Sequence, residues 1–188
     1  GSEMCIRDRE QTQRHCMMLE NCNYGDYELA VMNMIEQGLF GEPVHAEAGY
    51  LHNMESYLFN LKAKDNWRHL RKPSENPVVS GNSYPTHGLG PIAHWMGINR
   101  GDRLTSLYSV SGGDFTLKQA VKEKFGENSE YTKGYYKPDM NLSIIRTAKN
   151  KTILLFYGTS LRRPYSRAYV LNGTKCFISG GSRAGVLV

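Results

Sequence analysis

The segment with the greatest chemical content covers residues 84–103 and reads YPTHGLGPIAHWMGINRGDR. Pro85 keeps the residue before it extended, and the two glycines that follow let the backbone pass close to another group. Pro91 is typical of the first turn of a helix, which would leave His87 just outside the helix N-terminus. The pattern predicts a loop that presents three side chains to a polar ligand: Tyr84, Thr86 and His87. It also fits a loop that only caps a helix.

Two further positions offer polar side chains to a ligand. Residues 15–19, HCMML, predict a short buried strand, and Glu20 and Asn21 follow at its carboxyl end, where open α/β sheets bind ligands. Tyr50 and His52 lie on one face of a predicted strand, because side chains two residues apart in a strand point the same way. Both Glu20 and His52 also have a purely structural interpretation. Glu20 fits a carboxylate that approaches a helix, and His52 fits a polar residue whose hydrogen bonds are satisfied within a strand.

The histidines and cysteines predict no metal site. They lack the short paired spacings of metal ligands; they are His15, His45, His69 and His94, with Cys5, Cys16, Cys22 and Cys176. Residues 88–93, GLGPIA, match G-x-G-x-x-A by letters, but no strand precedes them and a proline stands where a donor is needed. We therefore predict no phosphate-binding loop there.

The elements that must position these residues are one amphipathic helix and a set of strands. Val31 and Ile35 recur at helical spacing after Asp26, and Gly38 predicts the end of that helix. Successive hairpins, one at residues 149–151 and one at Asn172-Gly173, predict a mostly antiparallel sheet. The predicted helices are 26–38 and 116–125, and the predicted strands are 44–52, 104–110, 140–148, 152–159 and a pair flanking residues 172–173.

Composition limits the classes of partner. The chain of 188 residues has a formal charge of +5, with basic residues scattered among acidic ones rather than clustered as in a nucleic-acid-binding arm. No apolar stretch approaches the ~20 residues that span a bilayer. We expect no nucleic-acid partner and no membrane span.

Several separated motifs together resemble a known family. YPTHGLGP is followed by INRGD, and MMLENCNYG, AGYLH, WR and RRPYSR occur at residues 17–25, 48–52, 67–68 and 162–167. In this order they resemble the second domain of glycoside hydrolase family 109, the group known for NAD-dependent α-N-acetylgalactosaminidases. The resemblance covers residues 10 to about 180.

The resemblance implies a two-domain protein of the Gfo/Idh/MocA type. Such a protein has an N-terminal Rossmann domain and a C-terminal α+β domain, whose open, mostly antiparallel sheet carries helices on one face. On this basis residues 1–9 are expected to be foreign to the fold, residues 10–25 to be the last strand and exit of a Rossmann domain, and residues 26–188 to be a sugar-binding domain cut short at its end. The resemblance implies a small-molecule or glycan substrate as the partner, and a homo-oligomer formed through the sheet is compatible with this architecture.

The resemblance also implies roles for particular residues. Sugar binding falls on Tyr50, Arg68, Tyr84, Pro85, Thr86, His87 and Tyr165, and cofactor contacts fall on Asn21 and Tyr84. In the implied reaction bound NAD⁺ oxidises the sugar at C3, a base removes the C2 proton, the aglycone leaves, water adds and the hydride returns. Tyr50 is the expected C2 base, and Tyr84 and His87 orient or deprotonate the C3 hydroxyl. The alternatives are a sugar dehydrogenase with net hydride transfer and a non-catalytic carbohydrate-binding relative.

Overall fold

The computed structural model describes residues 2–17, 19–62, 70, 72, 81–133, 137–166, 169–174 and 185–187. Its helices are α1 (Ser2–Thr12), α2 (Asp26–Glu36), α3 (Glu55–Leu58), α4 (Thr86–Trp95) and α5 (Phe115–Phe125), with short 3-10 helices at Asn21–Tyr24 and Glu130–Thr132. Its strands are β1 (Pro43–Leu51), β2 (Leu104–Ser111), β3 (Asn141–Thr147), β4 (Thr152–Gly158), β5 (Tyr169–Gly173) and β6 (Gly185–Leu187). No helix in these described ranges is long and apolar enough to cross a membrane.

The strands form one mixed sheet in the order β2-β3-β4-β1-β5-β6. β1 and β4 pair in parallel, and the other neighbouring strands pair in antiparallel fashion. The predicted fold class, an open and mostly antiparallel α+β sheet, is therefore confirmed. The predicted reversal at residues 149–151 is also confirmed, because Asn150 has a φ of 63° and joins two paired strands.

The main core lies between the sheet and two helices. Alternation along β1 and β4 directs every second side chain toward α2 and α4. The buried residues of this core include Val31, Ala46, Ala48, Ile92, Trp95, Ile145, Ile153, Leu155, Tyr169 and Leu171. The indole nitrogen of Trp95 donates to the carbonyl oxygen of Glu28 at 3.1 Å, which fixes α4 against α2. The helix end predicted at Gly38 is confirmed by its φ of 71°.

Helix α4 begins earlier than the sequence predicted. The expected start at Pro91 is wrong, because the helix begins at Thr86 and contains the proline. A proline has no N–H, so the carbonyl of His87, four residues before it, has no partner within the helix. The hydroxyl of Tyr169 donates to that carbonyl at 2.5 Å. A strand residue thus replaces the missing helical hydrogen bond.

Three other expectations need correction. Residues 2–12 form a helix, although residues 1–9 show neither the apolar period of a helix nor the alternation of a strand. Residues 15–17 and 19 form no strand, and Met17 and Leu19 are exposed; a buried strand needs neighbours, and the described strands all pair elsewhere. The Asn172-Gly173 hairpin is wrong, because both residues continue β5. A Cβ on Gly173 would lie 2.1 Å from the carbonyl oxygen of Phe40, so close packing explains this glycine.

Candidate functional site

Tyr50 lies at the centre of a cluster of rings at the carboxyl end of β1. It is the third of the alternating residues that β1 directs toward the helices, after Ala46 and Ala48. The parallel partner strand places Tyr157 directly beside it, with the two rings stacked at 6.3 Å. Both side chains are buried, at 8% and 1% exposure. The sheet therefore fixes Tyr50 rigidly below the segment that precedes α4.

The structure brings four of the sequence-predicted site residues together. The ring centroid of Tyr50 lies 5.1 Å from that of Tyr84, 5.3 Å from that of His87 and 6.1 Å from that of Tyr165. The rings of Tyr84 and His87 are themselves 4.6 Å apart. Residues far apart along the chain thus surround one buried tyrosine, and Tyr165 is half exposed at the edge.

His52 belongs to the same cluster. Its ring stacks on Tyr50 at 6.0 Å and meets Tyr165 edge-on at 4.8 Å. The alternation of β1 continues past the last paired residue, so both side chains share a face, as the sequence predicted. Ring faces and polar edges combined in this way are typical of sites that hold polar ligands with apolar faces.

Glu20 is the buried acidic partner of His87. Its Oε1 lies 2.6 Å from His87 Nδ1 and accepts a hydrogen bond from the backbone amide of Cys22 at 3.2 Å. Burial alone would raise the pKa of the Glu20 carboxyl. The hydroxyl of Thr86, the Cys22 amide and His87 together outweigh that effect and lower the pKa. Glu20 is therefore ionised and holds His87 by one ring nitrogen.

The first turn of α4 explains how these side chains meet. Pro85 precedes the helix and Thr86 begins it, so His87 lies in its first turn rather than before it. The helix can approach the Glu20 segment because Gly90 has no side chain; a Cβ there would lie 2.8 Å from Glu20 Cγ. Gly90 is thus needed for the close approach of α4 to Glu20, and a Cβ on Gly88 would lie 3.2 Å from Ala48 Cβ.

The remaining predicted residues fall in three places. Pro85 and Thr86 are partly buried beside the cluster. Asn21 is exposed at the start of the first 3-10 helix, with its Oδ1 3.7 Å from Cys22 Sγ. Arg68 lies outside the described residues.

Sequence reasoning missed two residues of the site. The Tyr157 hydroxyl lies 2.7 Å from Ser83 Oγ, which ties β4 to the segment before α4. Tyr157 could have been found only from the pairing of β1 with β4, because no motif marks it. Alternation within residues 152–159 places it on the buried face but does not name its neighbour.

Glu20, Cys22 and His87 also form a group of metal-ligand donors. Their donor atoms lie within 4.8 Å of one another, and this is the one such group within the described ranges. The sequence predicted no metal site, and no ligand spacing could reveal this group, since His87 is remote along the chain. The 2.6 Å contact already satisfies the carboxylate and Nδ1 without an ion.

Comparison with known proteins decides the family. Residues 24–184 match the sequence signature of "Glycosyl hydrolase 109, C-terminal domain". The chain belongs to glycosyl hydrolase family 109. The resemblance inferred from the sequence motifs is confirmed.

Individual relatives agree with this assignment. A family 109 protein of Solibacter usitatus is 44% identical over 171 residues, which is 90% of this chain and 38% of the relative. Proteins named α-N-acetylgalactosaminidase from Bacteroides fragilis and Shewanella oneidensis are 40% and 42% identical, over 89% and 93% of this chain and 40% and 38% of theirs. The chain thus spans about two fifths of the length of these relatives.

Solved structures of inositol dehydrogenases share the fold. Scyllo-inositol dehydrogenase from Lactobacillus casei, solved with NAD(H) and scyllo-inositol, has a TM-score of 0.56 at 10% identity and covers 88% of this chain and 39% of its own. An inositol dehydrogenase homologue from Azotobacter vinelandii has a TM-score of 0.52 at 12% identity, over 81% and 33%. The architecture is that of the Gfo/Idh/MocA C-terminal domain.

Proposed function

We propose that this chain is the sugar-binding part of a longer NAD-dependent glycosidase that removes terminal N-acetylgalactosamine. Family membership makes the protein a glycosidase relative, and two similar proteins carry the name α-N-acetylgalactosaminidase. The observation that carries the finer proposal is the convergence of Tyr50, Tyr84, His87 and Tyr165 around one point, with Glu20 bonded to His87. Arg68 completes the proposed sugar-binding set, together with Pro85 and Thr86.

His87 acts on the sugar C3 hydroxyl in this proposal. Ionised Glu20 can only accept a hydrogen bond, so the proton between the two residues belongs to His87 Nδ1. In the neutral ring Nε2 is then unprotonated and can accept a proton. Glu20 fixes the tautomer and orientation of His87, in the way that a buried carboxylate orients the base of a catalytic triad. Tyr84, 4.6 Å away between ring centroids, orients the same hydroxyl.

Tyr50 removes the C2 proton. A phenol with a reference pKa near 10 needs a cationic neighbour or a hydrogen-bond relay to act as a base. The Tyr50 ring has imidazoles on two sides, from His87 and His52, and Arg68 is the proposed cation. A Tyr50→Phe variant of the full-length protein should stop exchange of the C2 proton with deuterated solvent. Exchange at the wild-type rate would remove Tyr50 from this role.

NAD⁺ would supply the hydride acceptor for the sugar C3 hydrogen. The described residues fit only one end of such a cofactor. Asn21 and Tyr84 would hold its nicotinamide edge, whereas residues 88–93, which imitate a phosphate-binding motif by letters, lie inside α4 rather than in a strand-turn-helix unit. We therefore assign most cofactor contacts to a Rossmann domain ahead of this chain, joined through residues 10–25, with residues 1–9 foreign to the fold.

Calorimetry of the isolated chain tests this division. Association costs at least about 4 kcal/mol, which a few edge contacts do not offset. Titration of the 188-residue chain with NAD⁺ should therefore show no micromolar binding. Micromolar affinity would show that the cofactor site lies mostly within this chain.

An activity assay separates the proposed function from its alternatives. The full-length protein should hydrolyse an aryl α-N-acetylgalactosaminide only when NAD⁺ is bound, without accumulating NADH. Net NADH formation without aglycone release would favour a sugar dehydrogenase, which the fold of the inositol dehydrogenases keeps as the second candidate. Sugar binding with neither reaction would favour a non-catalytic relative.

The outer face of the sheet is the proposed contact with a second copy of the chain. Four apolar side chains of β2 and β3 are 38–69% exposed on the face opposite α2 and α4; they are Tyr108, Val110, Leu142 and Ile144. Contiguous exposed apolar patches of this kind mark interfaces. Ile144→Glu should lower the molar mass measured by sedimentation, and an unchanged mass would exclude this face.

A further inference from the structure

A groove lies directly behind the segment that carries Tyr84 and His87. It covers β2 and β3 on the helix-bearing face of the sheet and has a volume of about 460 Å³. Pro85 and Asn82 form its border with the proposed sugar site. The side chains that decide its chemistry are Asn82, Pro85, Leu89, Leu107, Ser109 and Ser143.

The floor of the groove presents hydrogen-bond acceptors. Ser143 donates its proton to Asn141 Oδ1 at 3.1 Å, and Asn141 Nδ2 donates to Ser109 Oγ at 2.9 Å. The two serine oxygens are 2.9 Å apart, so Ser109 must donate its own proton to Ser143. Each serine has then used its proton and one of two lone pairs. Each therefore keeps one lone pair that can accept a hydrogen bond from a ligand hydroxyl or amide.

The walls of the groove are aliphatic. Leu107 is 65% exposed on the floor strand, and Leu104 is 37% exposed beside it. Leu89 faces them from α4. Aliphatic walls above a floor of acceptors fit a neutral ring that has C–H faces and hydroxyl edges. A pyranose ring has this chemistry, and a volume of this size accommodates one.

The groove lies beside the row of strand positions that includes Tyr50. Its floor residues Ser109 and Ser143 pair in one row with Leu155 and, beyond it, with Ala48, which lies two residues before Tyr50 on the same face of β1. Neighbouring strands lie about 4.8 Å apart, so the row spans about 14 Å, the scale of two linked sugar rings. Pro85 is common to the groove and to the proposed sugar-binding set.

We propose that this groove binds the saccharide ring joined to the scissile bond, as an aglycone subsite. The glycan would pass over Pro85, with its terminal residue beside Tyr50 and the next ring between Leu89 and Leu107. Ser109 and Ser143 accept hydrogen bonds from hydroxyls of that second ring. This inference rests on the proposed function, since it assigns the leaving side of the same substrate.

The test compares two ligands on the 188-residue chain by NMR titration. The probes are methyl N-acetylgalactosaminide and a disaccharide of N-acetylgalactosamine linked to galactose. The disaccharide should bind about tenfold more tightly, because the second ring adds hydrogen bonds to the serines.

Leu107→Trp fills the groove and should abolish the difference while methyl glycoside affinity stays unchanged. Ser109→Ala should remove about threefold of the disaccharide affinity.

A matched control separates filling of the groove from damage to the sheet. Arg146→Trp places a tryptophan on the opposite face of the sheet, outside the four side chains of the proposed contact with a second copy, and should keep the tenfold preference. Equal affinity of both ligands for the wild-type chain, or an unchanged preference in Leu107→Trp, overturns the subsite. Failure of the methyl glycoside to bind, with disaccharide binding still sensitive to Leu107→Trp, contradicts the proposed sugar site and supports the groove.

Discussion

Glu20 and Asp102 are two buried carboxylates with similar exposure but different hydrogen-bond partners. Each is 7% exposed, and in each case burial disfavours the charged form. In each case hydrogen bonds outweigh burial and lower the pKa of the carboxyl below its ordinary value. A search for buried acids with perturbed pKa values would therefore select both residues equally.

Their partners distinguish them. Asp102 accepts hydrogen bonds from the Thr147 hydroxyl at 2.7 Å and from the amides of Arg103 and Lys149 at 2.8 and 3.1 Å. None of these groups gives up a proton near neutral pH, so the role of Asp102 is structural. Its hydrogen bonds hold the start of β2 against the turn between β3 and β4. Glu20 instead meets an imidazole within a ring cluster. A lowered pKa shows that the negative charge of the carboxylate is stabilised. Whether the carboxylate can assist proton transfer depends on the group that it contacts.

The largest expected effect is the loss of the imidazole. His87→Ala in the full-length protein should lower kcat by about 10²–10⁴-fold, the usual contribution of a general base. His45→Ala is the matched control, because His45 lies on β1 and contacts Thr152 away from the ring cluster. Steady-state hydrolysis of an aryl N-acetylgalactosaminide measures both. Equal rates for the two variants would remove His87 from catalysis.

Removing the charge of Glu20 should have a smaller effect on turnover. Glu20→Gln keeps the shape of the side chain but no longer requires the proton on His87 Nδ1, so kcat should fall by less than in His87→Ala, with little change in KM. Asp102→Asn makes the same change of charge at the other buried carboxylate and should leave kcat unchanged. If both variants lose activity equally, the contrast between the two carboxylates fails.

The sequence predicted most of this architecture because local patterns determine it. Alternation in residues 44–52 places Tyr50 on the buried face, and Asn150 and Gly38 mark ends where a positive φ is required. The motif at residues 84–87 identifies the site segment through family resemblance. These predictions needed no knowledge of which elements become neighbours.

The errors arose where a contact from another element decided the outcome. Pro91 looked like a helix start, but the Tyr169 hydroxyl satisfies the carbonyl that this proline leaves without a partner, so the helix extends back to Thr86. Gly173 looked like a turn residue, but the backbone at Phe40 requires it to lack a side chain. The pairing of Glu20 with His87 is of the same kind, because 67 positions separate the two residues.

Asp102 should matter for stability instead. Asp102→Asn replaces an acceptor-only group by an amide, so one of its three hydrogen bonds loses its acceptor within a buried site. We expect the free energy of unfolding to fall by about 1–3 kcal/mol. Denaturant titration of the 188-residue chain measures it, with exposed Asp26→Asn as the control. No change relative to that control would contradict the structural role of Asp102.

The smallest expected effect is the dependence of stability on pH, which both carboxylates share. The ordinary pKa is 4.5 for Glu20 and 3.8 for Asp102, and the pKa of each carboxyl is lower in the folded chain. Each carboxylate therefore contributes stability that is fully present at pH values above its ordinary pKa. This contribution is lost as the pH falls through the folded-state pKa, because the unfolded chain then binds the proton more readily. The slope is at most about 1.4 kcal/mol per pH unit for each carboxylate.

Glu20→Gln and Asp102→Asn should each flatten the loss of unfolding free energy below about pH 4.5. Only Glu20→Gln should also alter the acidic limb of kcat against pH, because only Glu20 holds a proton on His87, the proposed catalytic imidazole. An acidic limb altered equally by Asp102→Asn would show that the limb reports unfolding rather than the pairing of Glu20 with His87.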